Sequence, residues 1–230
     1  MQVKLGTGYD TVQDWRRPGL ERKRLAKLAT TLMLLIGLLI GGCQQELVRV
    51  PIKSTADSST LSKVIDSAID QTKVTNSYDP AYSRIDYPGG DVPLAKGVCS
   101  DVIVRAFRNG GVDLQKEIHE DMLQNFSAYP NRWGARKPDS NIDHRRVANL
   151  MTYFDRNGKS LPVTSVRKEY LPGDVVAWDL GNELLHIGIV TNVLSGSGPG
   201  YMIVHNIGAG ARLEDVLFSW KVIGHYRYFQ

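Results

Sequence analysis

Cysteine is nearly missing from this chain, with two in 230 residues, Cys43 and Cys99. So few exclude a disulfide scaffold and a cysteine-rich zinc module. Ten prolines and 22 glycines fall far below a collagen-like repeat, and charged residues at 23% beside hydrophobic residues at 42% exclude wholesale disorder. No histidine and cysteine spacing matches a structural zinc site, so no metal is expected. A phosphate-cradling loop is missing too: Gly208-Ala209-Gly210 lacks the strand and helix that such a loop joins, and no cofactor is implied. Internal repeats and low-complexity tracts are absent.

The body of the chain also lacks a charge excess. The net charge is +4, but residues 1–42 carry seven basic and three acidic groups, which leaves 21 of each in residues 43–230. The whole excess sits at the N-terminus, so the charge of the working domain gives no argument for nucleic acid, and no nucleic-acid partner is expected.

What the N-terminus does hold is a thirteen-residue uncharged run, Leu28–Ile40, behind the basic cluster. It suits a secretory apolar region and is short for a spanning helix. It ends in Ile40-Gly41-Gly42-Cys43, which resembles a bacterial lipobox. The resemblance implies cleavage before Cys43 and lipidation of Cys43. Because Gln44 is not aspartate, it also implies anchoring at the periplasmic face of the outer membrane. An uncleaved signal anchor is the alternative. The stretch before the apolar run is long, about 27 residues, which leaves room for a start further downstream. The expected organisation is a signal peptide over 1–42, a lipidated N-terminus and polar tether over 43–58, and a domain over 59–230. Cys99 is then a lone thiol in an oxidising compartment, either a reactive group or an inert buried hydrophobe.

Along the domain, apolar spacing predicts a helix over 60–74 capped by Ser59 or Thr60, and another from Cys99 to the stop at Asn109-Gly110-Gly111. Short helices are expected at 117–125 and, capped by Asn141, at 142–156; residues 126–141 read as loop. From Leu171 the pattern changes to strands: 175–178, 185–190, 201–205 and a closing strand at 225–229. Helices first and antiparallel strands after indicate an α+β fold, with N-terminal helices packed on a small antiparallel sheet.

Chemistry follows from this order. A helix N-terminus favours a thiolate, and an imidazole able to pair with it lowers the thiol pKa further. Cys99 lies at a helix start. Alternation puts Leu185, Ile187 and Ile189 on one face of their strand and His186, Gly188 and Val190 on the other. If that strand pairs with 201–205, His205 can sit beside His186 and orient its ring.

These residues resemble a known signature. Gly97-Val98-Cys99-Ser100-Asp101, Pro172-Gly173-Asp174-Val175-Val176, His186-Ile187-Gly188-Ile189-Val190 and Val204-His205 look like the ordered motifs of the NlpC-type papain-like cysteine peptidases, which are cell-wall hydrolases. More closely, Tyr87-Pro88-Gly89-Gly90-Asp91-Val92-Pro93, Asn141 to Val147 and His205-Asn206-Ile207-Gly208 are similar to the YijF-type family of domains of unknown function, from about residue 60 onward. The resemblance implies a papain-like (NlpC-type) fold, with Cys99 as nucleophile, His186 as general base and His205 as third residue. It also implies a substrate-contacting tyrosine at Tyr87. Asp101 stands where those enzymes often have glycine, and either raises the thiol pKa or binds a substrate amine.

Elsewhere, His144 is either a grip on acidic ligands or part of a solvated helix start, His119 an exposed turn residue, His225 a surface or edge residue, and Asp174 a turn former. Trp133 sits in a loop that could line a cleft. The expected activity is a lipid-anchored cysteine hydrolase cleaving an amide bond in peptidoglycan stem peptides, with peptidoglycan or peptide as substrate and the membrane as partner. A non-catalytic periplasmic cell-wall-binding lipoprotein and an acyl or peptidyl transferase with the same triad stand as alternatives.

Overall fold

The computed structural model describes residues 47–52 and 56–229. The apolar run, the lipobox and Cys43 lie outside them. Helix α1 (Ala56–Val74) is followed by two short strands, β1 (Ser77–Tyr78) and β2 (Lys96–Gly97), which pair in parallel. Then come α2 (Cys99–Asn109), α3 (Leu114–Asn125) and α4 (Val147–Arg156). Strands β3 (Val175–Asp179), β4 (Leu185–Leu194), β5 (Tyr201–Asn206), β6 (Ala211–Glu214) and β7 (Lys221–Tyr226) complete the chain. They form one antiparallel sheet in the order β6-β5-β4-β3-β7. The domain is therefore α+β. No helix among the described residues is long and apolar enough to cross a membrane.

The sheet divides two cores. On one face Val175, Ala177, Ile187, Ile189 and Val204 pack with Val102, Ile103, Ala106 and Phe107 of α2 and with Val64 and Ala68 of α1. On the other, Val176, Trp178, Val190 and Ile203 pack with Tyr170 and Leu217. Strand alternation dictates this split, since neighbours in a strand point to opposite faces.

Helix α2 is the central element. Every residue from Cys99 to Phe107 is buried, so the helix is enclosed on all sides and not just along one stripe. Its two buried charges are paired. Arg105 makes a bidentate contact with Asp91 at 2.8 and 3.0 Å and donates to the carbonyls of Val92 and Lys96, which pins the 91–97 segment against the helix. Gly97 permits this approach: a Cβ there would lie 2.9 Å from Asp101 Oδ2 and 3.3 Å from Arg105 Nη1.

Several boundaries differ from the sequence expectation. Helix α1 starts at Ala56, so neither Ser59 nor Thr60 caps it, and residues 56–58 of the expected tether are helical. Val50 N–H donates to the Asn192 carbonyl and Leu194 N–H to the Val48 carbonyl, so residues 48–50 dock along β4. Helix α4 starts at Val147 because Asp143–Arg145 form a tight 3-10 turn, and Asn141 accepts the Ile85 N–H instead of capping. The closing strand lies earlier, at Lys221–Tyr226. Strand β6, Ala-Arg-Leu-Glu, escaped the pattern because it is a four-residue edge strand paired on one side only.

Candidate active site

Cys99 opens α2. The preceding Val98 has no side-chain oxygen to cap the helix, so Asp101 reaches back and accepts the Val98 N–H at 2.7 Å. Main-chain groups of Ile187, Ser100 and Cys99 itself lie beside the sulfur and favour its charged form. Burial outweighs them. With Asp101 adding repulsion, the thiol is pushed up to about 12, so its resting form is neutral. A helix N-terminus alone does not produce a thiolate here.

The histidines meet as the strand pairing requires. Gly188 pairs with His205 across β4 and β5, and His186 Nε2 lies 2.8 Å from His205 Nδ1. His205 Nε2 lies 2.9 Å from Glu214 Oε2, on β6. A carboxylate only accepts, so His205 Nε2 carries the hydrogen and its Nδ1 is the acceptor. His186 Nε2–H must then donate, which leaves the lone pair on His186 Nδ1. This tautomer is assigned from the network. Burial and the neighbouring His205 depress His186 to about 3, and burial depresses His205 while Glu214 partly offsets it. Both rings are neutral near pH 7. Trp178 stacks on His186 at 5.5 Å and Trp220 meets both imidazoles edge-on, screening the pair from water.

The thiol and the imidazoles belong to different faces of the sheet. Cys99 is grouped with the helix-side core, whereas His186 and Gly188 face Trp178. They approach at the Ile187 main chain, one residue past His186. Here the β4–β5 pairing has ended, and Asn206, the last residue of β5, donates to the Gly97 carbonyl at 2.9 Å, tying the approach to Cys99 to the end of the histidine strand. No hydrogen bond joins Cys99 directly to His186 among the described residues. The thiol–imidazole ion pair expected from the sequence is thus not the resting arrangement.

A cleft of about 680 Å³ reaches Cys99 and is lined by Tyr78, Tyr82, Trp133, Arg145, Arg146 and Leu185, among others. Tyr87 is not among its lining residues: its ring packs edge-on against His119 at 5.0 Å. Tyr78 takes the place expected of it, close enough to Cys99 and Asp101 for their charges to add to the burial that raises its phenol pKa. Asp101 is also reassigned. It is buried and accepts from Arg145 Nε and Nη2 at 2.9 to 3.3 Å, so it has no free oxygen for a substrate amine. Arg145 in turn donates to the Ala81 and Asp79 carbonyls and clamps the 79–81 segment beside the cleft.

The remaining histidines depart from expectation as well. His144 is buried and not solvated, and desolvation with nearby Arg145 lowers it to about 4. His119 has a buried, unpartnered Nδ1. His225 is buried, stacked on Tyr170 at 4.1 Å and bonded to Asp174 at 2.7 Å. Asp174 does shape its turn, accepting the Leu171 N–H, and also binds Arg227. Among the described residues no group of three His, Cys, Asp or Glu could hold a metal ion. Arg145, Tyr78, Glu214 and Trp220 were missed from sequence. Only Glu214 left a trace there, in a strand too short to read.

A cysteine at the N-terminus of a buried helix, laid against an antiparallel sheet whose strands carry two hydrogen-bonded histidines, defines the site of this α+β domain. The chain belongs to the family described as Domain of unknown function (DUF1287), which matches residues 65–228. It is 52% identical over 172 residues to the uncharacterized protein YijF of Escherichia coli (strain K12), covering 75% of this chain and 83% of that one. Among solved structures it is similar to a lipoprotein-like protein of the NLP/P60 family from Staphylococcus aureus, with 13% identity and a TM-score of 0.37 over 86% of this chain and 48% of that one. A likeness that loose carries no argument about activity.

Proposed function

We propose that this protein is a cysteine hydrolase that cleaves an amide bond, most naturally in peptidoglycan stem peptides, while tethered through lipidated Cys43 to the periplasmic face of the outer membrane. The observation that carries the reading is the ordered relay Glu214–His205–His186, which leaves His186 Nδ1 unprotonated one residue from the Ile187 main chain beside the Cys99 sulfur. In the reaction His186 Nδ1 takes the thiol proton as sulfur attacks the carbonyl, and later returns it to the leaving amine. The thiol and the imidazole must close on each other as substrate fills the cleft; catalytic hydrogen bonds often tighten only in the complex. Main-chain N–H groups at the start of α2 supply the stabilisation of the oxyanion. His205 is a positioning residue and Glu214 fixes its tautomer.

The test is digestion of purified muropeptides by the protein and by Cys99→Ala, read by mass spectrometry. Loss of cleavage in the variant is expected; equal product from both rejects the assignment. A second reading is recognition without turnover, favoured by the neutral, buried thiol. It predicts muropeptide binding with no product from either protein. A peptidyl transferase would show itself by new amide products in the same digests.

A further inference from the structure

We propose that Arg146, held over the Trp133 ring, is the recognition residue for a carboxylate on the ligand of the Cys99 cleft, so that the cleft takes an anionic peptide. The inference rests on the cleft being the ligand site, as above, but not on turnover.

Arg146 joins the Asp143–Arg145 turn to α4, in extended conformation (φ −102, ψ 115). Its carbonyl accepts the N–H groups of Asn149 and Leu150, so its backbone is fixed by the helix. Its guanidinium carbon lies 4.4 Å from the centroid of the Trp133 ring, which is 48% exposed at the cleft. A cation–π contact of this kind holds the guanidinium at the cleft without using its hydrogens.

The fork is largely unspent. Among the described residues its one side-chain hydrogen bond runs from Nη1 to Asp143 Oδ1 at 3.3 Å, a long contact. The other Asp143 oxygen accepts the Asp139 N–H, so this carboxylate is shared between the fork and the turn before it. The neighbouring arginines differ. Arg145 is saturated by Asp101 and two carbonyls, and Arg132 is paired with Glu183 at 3.0 Å. Among the charged lining residues the cations are Arg132, Arg145 and Arg146, against Glu183 alone. An arginine fork with open donors, held over an aromatic in a cationic cleft, matches the two oxygens of a carboxylate.

The experiment uses Cys99→Ala, so that nothing turns over, and calorimetry at pH 7. The probe is a muropeptide mixture, either native or with its carboxylates converted to amides. Amidation should weaken binding by about tenfold or more, the scale of one charge-assisted contact. Adding Arg146→Gln should lower native affinity to the amidated level and abolish the difference. Trp133→Leu, at an exposed position that should leave the fold intact, should weaken native binding selectively. Equal affinity for both mixtures, retained discrimination in Arg146→Gln and Trp133→Leu, or no binding of either mixture overturns the proposal. Cleavage by the unsubstituted protein is scored separately, so failure of the hydrolase reading leaves a positive binding result standing.

Discussion

His186 and His205 share a single hydrogen bond, Nε2 to Nδ1 at 2.8 Å, and its direction is dictated from one residue further away. Glu214 holds His205 Nε2–H, and every proton in the relay follows from that. Glu214→Gln should lower the His205 pKa further, because it removes the charge that offsets burial. Histidine ring NMR titration reads this directly. Circular dichroism should show an unchanged fold, since Glu214 is on an edge strand. A His205 titration that does not move would show that Glu214 is only a surface neighbour.

The Asp101–Arg145 pair makes a two-part prediction. Both side chains are nearly inaccessible, at 4% and 2%. Asp101→Asn leaves Arg145 buried without a counter-charge and should cost about 3–5 kcal/mol in urea denaturation. The same change removes a repulsion that raises the Cys99 pKa, so alkylation by iodoacetamide at pH 9 should speed up in the folded protein. Loss of stability without faster labelling would place Asp101 in the fold but not in the electrostatics of the thiol.

Acid should destabilise the domain earlier than its carboxylates require. His186 is depressed to about 3 and His144 to about 4 from a reference of 6.5, and His205 is depressed as well, each chiefly by desolvation. These groups stay neutral when folded and charge when unfolded. Their contribution is therefore complete above pH 6.5 and is lost as pH falls toward the folded values, at up to about 1.4 kcal/mol per pH unit for each proton. Urea midpoints between pH 7.5 and 4.5 should fall, with a shallower slope in His144→Gln. A flat profile over that range contradicts the burial of these rings.

Gly188 tests the packing behind the relay. A Cβ there would lie 2.8 Å from Ile203 Cγ2 and 3.1 Å from both His205 Cβ and Trp178 Cη2. Gly188→Ala should cost about 1–3 kcal/mol and shift the His205 ring resonances. Unperturbed histidine resonances would mean that the relay tolerates displacement of β5.

Much of the frame was legible without coordinates. The apolar spacing after Cys99 placed a helix start at the residue where α2 begins, because a helical stripe and an Asn-Gly-Gly stop are local signals. Alternation in residues 185–190 separated His186 from Ile187 correctly, since strand period is a property of the backbone. The pairing of His186 with His205 followed from two strands being neighbours. Distance, burial and charge are different matters. Tyr87 and Tyr78 look equally good in one dimension, and only chain folding sets Tyr78 at the cleft and Tyr87 against His119. His225 read as an edge residue, yet Asp174 and Tyr170 enclose it from distant positions. The sequence by itself therefore determined which residues could do chemistry and on which elements they ride. The tertiary structure alone decided that Asp101 is consumed by Arg145, that the thiol rests neutral, and that Glu214 sets the protons. Those outcomes depend on desolvation and on contacts between residues far apart in the chain, which no local pattern encodes.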